Sequence, residues 1–571
     1  MTLTKATYSM IQGAPVNVLD YGAVGDGVTN DLAALRLAVA AACSQNVPLV
    51  FPKDQTFILT PTVADATGAL LSFTVGIPVI GNNATLKIAD STPGYATIIG
   101  NMNPAIDLTG LDISGLVFDH NAENTNNFTA TGAVLNSARQ TVYVKRGSMF
   151  RFCDNIIDRV SCTNSVVYNG DGNTANCFVE NNLWKRVGKT PNGLYFDHST
   201  LYLTGDNINI TGNTFEGDFW GAGGTTCAIE VHPGYRCVIA NNIGTKYHSA
   251  INYAGVYETD SVDGIVSGNA FETLRHGVVI FGSTYLTHTT GYSVDGLRVY
   301  GNIFRIRNAL PKDQITGGTL GCGGIIFNYS LSLGVRDVYV HDNQCVYDIE
   351  TTASDYGVTA TALGIPEASA NTTYERVHFY NNVAVNPPGV VMCMGGGNGT
   401  LTNCLAYPIY IDNPCGINNG SYPFASKNAF RVLPNTISGG IKVGGSVRNA
   451  DKDKLVRPAV LNCTTNSNTA DTKIIIDEIL WTDPPADFTD FKLLTTYSDN
   501  SIPYFRAVVS NGSVQTIGDF GAFASAQCKV GSVILRKDTN TARIYAATGT
   551  TTTALTPTTT TEVAAVYSIV N

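Results

Sequence analysis

A chain of 571 residues exceeds what one compact core supports, so several domains or an elongated repeat are expected. Only 14% of its residues are charged, and a formal net charge of −10 argues against nucleic acid and anionic membrane surfaces as partners, since both require basic patches. No apolar run approaches a membrane span of about 20 residues, and the opening MTLTKATYSMIQG has no signal-peptide core, so folding in the cytosol is expected.

The first element is the stretch from Val16 to Thr60. VNVLDYGAVGDG reads as a strand and a glycine-rich turn, and a helix begins near Asn30 or Asp31, whose side chains can cap free backbone donors. Leu32, Leu35, Val39 and Cys43 recur at helical spacing, which gives the helix over 30–43 an apolar face that must cover something. GAVGDG lacks the GxGxxG spacing of a nucleotide site, so Asp26 and Asp31 are expected to be structural.

From Phe178 to Val383 one short phrase repeats: an apolar residue, two variable residues, Asn, a variable residue and a bulky apolar one. It reads VENNLW, ITGNTF, VIANNI, VSGNAF, VYGNIF, VHDNQC and, less perfectly, FYNNV. The anchors are Asn182, Asn213, Asn241 or Asn242, Asn269, Asn302, Asn343 and Asn382. A repeat of roughly 20 to 50 residues means a solenoid or a propeller, and segments this short cannot supply the four long strands of a propeller blade. The fold class is therefore all-β, a parallel β-helix. Asn tolerates the left-handed conformation of a sharp bend and its amide can bond to the next coil, so stacked copies form a ladder beside an apolar core. The 13 cysteines lie mostly single in apolar segments without CxxC pairs, which predicts free core thiols rather than disulfides or a metal site.

VLDYGAVGDGVTNDLAALRLAV, followed by VPLVFPKDQTFIL and the asparagine coils, resembles the pectate-lyase-like right-handed β-helix superfamily, in particular bacteriophage tailspikes and capsule depolymerases. The resemblance covers about 16–435 and implies a β-helix with an N-terminal capping helix, a homotrimer, and a virion protein that acts at the bacterial cell surface on capsule or O-antigen polysaccharide. Residues 1–15 are expected to be a short peptide attaching to another phage tail protein. Near Leu405 the pattern changes and NPCGINNGSYPFASKNAFRVLPNTISGG reads as a connection. Residues 436–517 are expected to form a β-sandwich-like trimerisation or carbohydrate-binding domain, and 518–571 a small β module with two strands around a DTN turn.

Hydrolysis of a glycosidic bond needs two carboxyl groups, whereas elimination needs a base and a group that neutralises a uronate. Charge concentrates between Asp197 and His276. Glu230 alternates with Ile229 and Val231, so it is expected to face outward with His232, on a column shared with Tyr202 and Asn252. A second column holds Glu216 and Asp218, Lys246 and His248, and Glu272, Arg275 and His276. The expected catalytic set is Glu230, Glu216, Asp218 and His232. Trp220, Tyr202, Tyr253, Arg236, His248 and Arg275 are the expected substrate contacts. Asp171 in NGDGN reads as a turn residue, and Asp197 with His198 is a reserve pair. No metal, calcium-site aspartate cluster or cofactor is expected. Hydrolysis is favoured over lyase chemistry, with a non-catalytic glycan-binding or structural spike as the alternative from another class; the sequence does not name the sugar.

Overall fold

The computed structural model describes residues 13–412 except 63–64, 66–67, 126–138, 161–163, 170–174, 188–197, 218–225, 234, 256–260, 283–291, 308–322, 330–333, 349–360, 369–371, 386–389 and 395–399, and beyond 412 the backbone of the strands named below. The chain divides into two units, one reaching Val278 and the other starting at Val279, with short segments exchanged.

The first unit opens with the helix α1, Leu32–Gln45. Its buried face holds Leu32, Leu35, Ala38, Val39, Ala42 and Cys43 and packs on the first strands, including Ala69–Ser72. Arg36 pins the helix by donating to the Leu70 carbonyl at 2.9 Å and pairing with Asp65. The start of the helix divides the expected capping role between two residues. Asn30 Oδ1 accepts from Leu32 N at 3.2 Å, while the buried Asp31 carboxylate accepts from Val24 N at 2.6 Å and Gly25 N at 3.2 Å and so ties down the glycine turn.

Coils of three short strands follow. In the coil that contains Asn213, the end of His198–Thr211 leads to a corner, Thr214–Gly217 forms the second strand and Thr226–Pro233 the third. Each pairs in parallel with its counterparts one coil away: Ile210 with Ile239, Thr214 with Ile243, Glu230 with Tyr202 and Asn252. Alternation sends Ile208, Ile210, Phe215, Ile229 and Val231 inward, where all are buried.

At the corner the two tasks assigned to one asparagine fall to neighbours. The left-handed residue is the one before the anchor: Asp154, Asn181, Gly212, Asn241 and Gly268 have φ between 55° and 68°. The anchors Asn155, Asn182, Asn213, Asn242 and Asn269 are buried at 1% exposure or less. Asn213 Nδ2 donates to Val179 O of the preceding coil at 2.8 Å and to Asn242 Oδ1 of the next at 3.0 Å, and Asn213 N donates to the same oxygen at 3.0 Å. The same pattern joins Asn155 to Asn182, Asn182 to Asn213 and Asn242 to Asn269. The ladder thus starts one coil earlier than the sequence phrase indicated, and its fourth rung is Asn242. The ambiguity there arose because the position two after Asn242 is Gly244, not a bulky residue; a Cβ on Gly244 would lie 2.4 Å from the Phe271 ring, which fills that space against Phe215. Inside, Phe118, Phe152, Trp184, Phe215 and Phe271 form an aromatic row at centroid spacings of 4.8 to 6.1 Å.

The second unit repeats the design with Asn302, Asn343 and Asn382. Its parallel pairing passes the expected boundary at 435: Phe430–Val432, Thr436–Ser438 and Ile441–Arg448 each pair in parallel with a strand of the previous coil. Pairing turns antiparallel from Lys454–Leu461 onward, and the last strands, Val533–Asp538, Thr541–Ala547 and Thr560–Ser568, form an antiparallel sheet. Cys43, Cys153, Cys177, Cys227, Cys237, Cys345 and Cys404 are free and buried.

The split of tasks predicts opposite tolerance in adjacent residues. Asn242→Gly removes the acceptor of two buried donors and should cost about 3 kcal/mol or more, whereas Asn241→Gly should change stability by less than about 0.5 kcal/mol, as read from denaturant midpoints.

Candidate functional site

Glu230 sits mid-strand in Thr226–Pro233, its neighbours Ile229 and Val231 in the core, and its side chain keeps 19% exposure on the outer wall. His232, two residues on, is more enclosed than expected at 4%. Its Nε2 lies 3.1 Å from Glu230 Oε1, and the Ser199 hydroxyl, from the preceding coil, donates to Glu230 Oε2. Tyr202, opposite Glu230 in the register, lays its ring 4.9 Å from the His232 ring. Four side chains from two coils thus form one cluster.

Burial raises the proton affinity of the Glu230 carboxyl, but the hydrogen bond and charge of His232, with the Ser199 hydrogen bond, outweigh it and hold the group below its ordinary value. A carboxyl held ionised can act as a base or a nucleophile and is unsuited to donate a proton. The hydroxyl of Ser199 donates to Glu230 rather than to His232, so the three do not form a serine nucleophile with its histidine base.

The other expected residues fall differently. Glu216 is exposed on the second strand of its coil, opposite Thr245, whereas Glu230 lies opposite Asn252. Both partners belong to the strand Ile243–Gly255, and the seven residue steps from Thr245 to Asn252 cover roughly 20 Å at strand rise. The corner at Lys246, φ 63°, shortens this without reaching the separation of about 5 to 9.5 Å that paired glycosidase carboxyls require. Glu216 is therefore not the acid partner of Glu230. Tyr253 is a second correction: it pairs with the inward Val231 and is fully buried, a core residue and not a sugar contact. Arg236 is exposed, with φ 52°, at the corner after the third strand. His248 is buried at 9%, and Arg275 is half-buried beside His276, whose Nδ1 lies 3.4 Å from Ser249 Oγ. Asp171, Asp197, Asp218, Trp220 and the His198 side chain lie outside the described residues. Among the described residues no group of His, Cys, Asp and Glu has the arrangement of a metal site. Ser199 was missed in sequence because its contact depends on strand register between coils.

No family model matches the sequence, and no curated protein does. Two solved structures of the tailspike protein of E. coli bacteriophage HK620, a single mutant in complex with pentasaccharide and a double mutant, match with a TM-score of 0.50 each and 13% identity over 76% of this chain and 81% of that one. The chain has the tailspike fold. Its parallel coils form a right-handed β-helix of that type, with only one α-helix among the described residues.

A depressed carboxyl pKa contributes stability that is present above the ordinary value and lost as pH falls through the folded-state value. Wild type should therefore exceed Glu230→Gln in melting temperature near neutral pH, and the difference should shrink below pH 4.5, the ordinary value for the group. An offset that is the same at pH 7 and pH 3 would show that Glu230 is not held ionised.

Proposed function

We propose that this protein is a bacteriophage tailspike that binds a bacterial surface polysaccharide, a capsule or an O-antigen chain, and cleaves it by glycosidic hydrolysis. The observation that carries this is the Glu230 carboxyl on the outer wall of a tailspike-type β-helix, bonded to an imidazole and a hydroxyl and beside a tyrosine ring. The pentasaccharide in the matching HK620 tailspike complex supports an oligosaccharide as the ligand class. Glu230 acts as the base or nucleophile, His232 and Ser199 hold its charge and orientation, and Tyr202 offers a ring for a sugar face. Asp218, in the segment after Glu216, is the proposed proton donor, with Arg236, His248, Arg275 and Trp220 as secondary contacts. The chain assembles as a homotrimer on the virion, anchored through another phage tail protein. The second reading is β-elimination, because one ionised carboxylate also suffices as the base that removes a proton next to a uronate.

Incubation with purified capsules and O-antigens from a panel of bacteria should release new reducing ends from at least one of them. Ultraviolet absorbance from an unsaturated product would assign a lyase instead. Glu230→Gln should lower the rate about 10³-fold or more while light scattering still gives the trimer mass; near wild-type rates would place the chemistry elsewhere.

A further inference from the structure

The second unit carries an outer wall that the cleavage chemistry does not use. Four and two residues before each anchor asparagine lie two outward positions of the coil's first strand. In the first unit the coils at Asn213, Asn242 and Asn269 hold Asn209 and Thr211, Val238 and Ala240, Ile265 and Ser267, while those at Asn155 and Asn182 hold Arg151 and Cys153, Phe178 and Glu180. In the second unit they hold Arg298 and Tyr300, Tyr339 and His341, His378 and Tyr380, in register across three coils. The fold itself tolerates small and aliphatic residues here, so six consecutive aromatic or cationic choices are not imposed by coil stacking.

The geometry is that of a continuous platform. Tyr300 and His341 stack at 5.2 Å with planes 3° apart, and His341 and Tyr380 at 4.8 Å and 7°. Beside them Tyr339 meets His378 edge to face at 5.3 Å and 89°. His341 Nδ1 lies 2.7 Å from Asp342 Oδ2, and His378 Nε2 lies 3.0 Å from Asn403 O, so both imidazoles are fixed in orientation. Arg298 is exposed and the five rings are half-buried.

We propose that this wall is a glycan-binding site of the second unit. Resting on the polysaccharide-binding function proposed above, it adds a site that holds the chain without cutting it. A sugar presents apolar C–H faces and a rim of hydroxyls; the wall presents ring faces and edges together with phenol hydroxyls, imidazole nitrogens and a guanidinium. Protein interfaces also favour Tyr and Arg, so the trimer mass is read alongside glycan binding.

The test uses the full-length protein and purified capsular and O-antigen polysaccharides from a panel of strains, immobilised on a sensor surface. The double variant Tyr339→Ala/Tyr380→Ala should bind the retained polysaccharide about tenfold or more weakly, and Arg298→Ala, outside the ring stack and exposed, several-fold more weakly, with reducing-end release at saturating substrate unchanged. Far-UV circular dichroism and melting identify any variant that fails to fold; Arg298→Ala then decides. Unchanged affinity in folded variants overturns the proposal, as does a loss of trimer mass with glycan retention intact, which would make the wall a protein interface. If Glu230→Gln abolishes cleavage while the wall variants bind normally, the wall falls and the cleavage function stands. If nothing is cleaved yet the wall variants lose binding, the wall stands alone. Failure of wild type to retain any polysaccharide overturns both.

Discussion

The buried asparagine carboxamide is the interaction on which the coils depend. Asn155, Asn182, Asn213 and Asn242 each sit in an apolar setting where an unpaired amide would be expensive, and each is satisfied in both directions along the stack: Nδ2 on a carbonyl of the coil before, N and Nδ2 together on the oxygen of the coil after. Because every rung completes its neighbour, a coil has a fully bonded corner only when another lies on each side. This fixes the register of the strands that leave the corner, and register is what brings outward side chains of different coils together.

The cluster around Glu230 is a product of that register. Ser199 and Tyr202 come from one strand and Glu230 and His232 from the next, and none of the cross-coil contacts follows from nearness in sequence. A mid-strand carboxylate flanked by two core residues is a poor place to leave a charge without compensation. Here the imidazole and the hydroxyl supply it, and the net effect favours the ionised form. Arginines solve the same problem elsewhere on the outer walls: Arg159 and Arg186, both at positive φ, reach back one coil to Asp119 and Asp158.

Much of the fold was legible because the ladder puts one residue type at one place in every coil. What the phrase could not show was that the bend and the ladder are neighbouring residues; where both were Asn, the left-handed backbone of Asn241 and the burial of Asn242 distinguish them. Tyr253 was misplaced although alternation from Ile251 already pointed it inward. Glu216 was misplaced for a different reason: the corner between the second and third strands has no asparagine signature, so sequence offered nothing to separate two acidic columns. The coils were expected to end at 435, yet parallel pairing continues through Thr436–Ser438 and Ile441–Arg448. The aromatic wall was present as RVYGN, YVHDN and HFYNN but was absorbed into the repeat.

The central claim is that a sugar chain lies against the Glu230 wall. Crystals of the Glu230→Gln variant soaked with oligosaccharides from partial acid hydrolysis of a susceptible capsule test it most directly. The account predicts difference density for a sugar ring within hydrogen-bonding distance of residue 230 and against Tyr202. An ordered oligosaccharide bound elsewhere, with that wall empty, would contradict it.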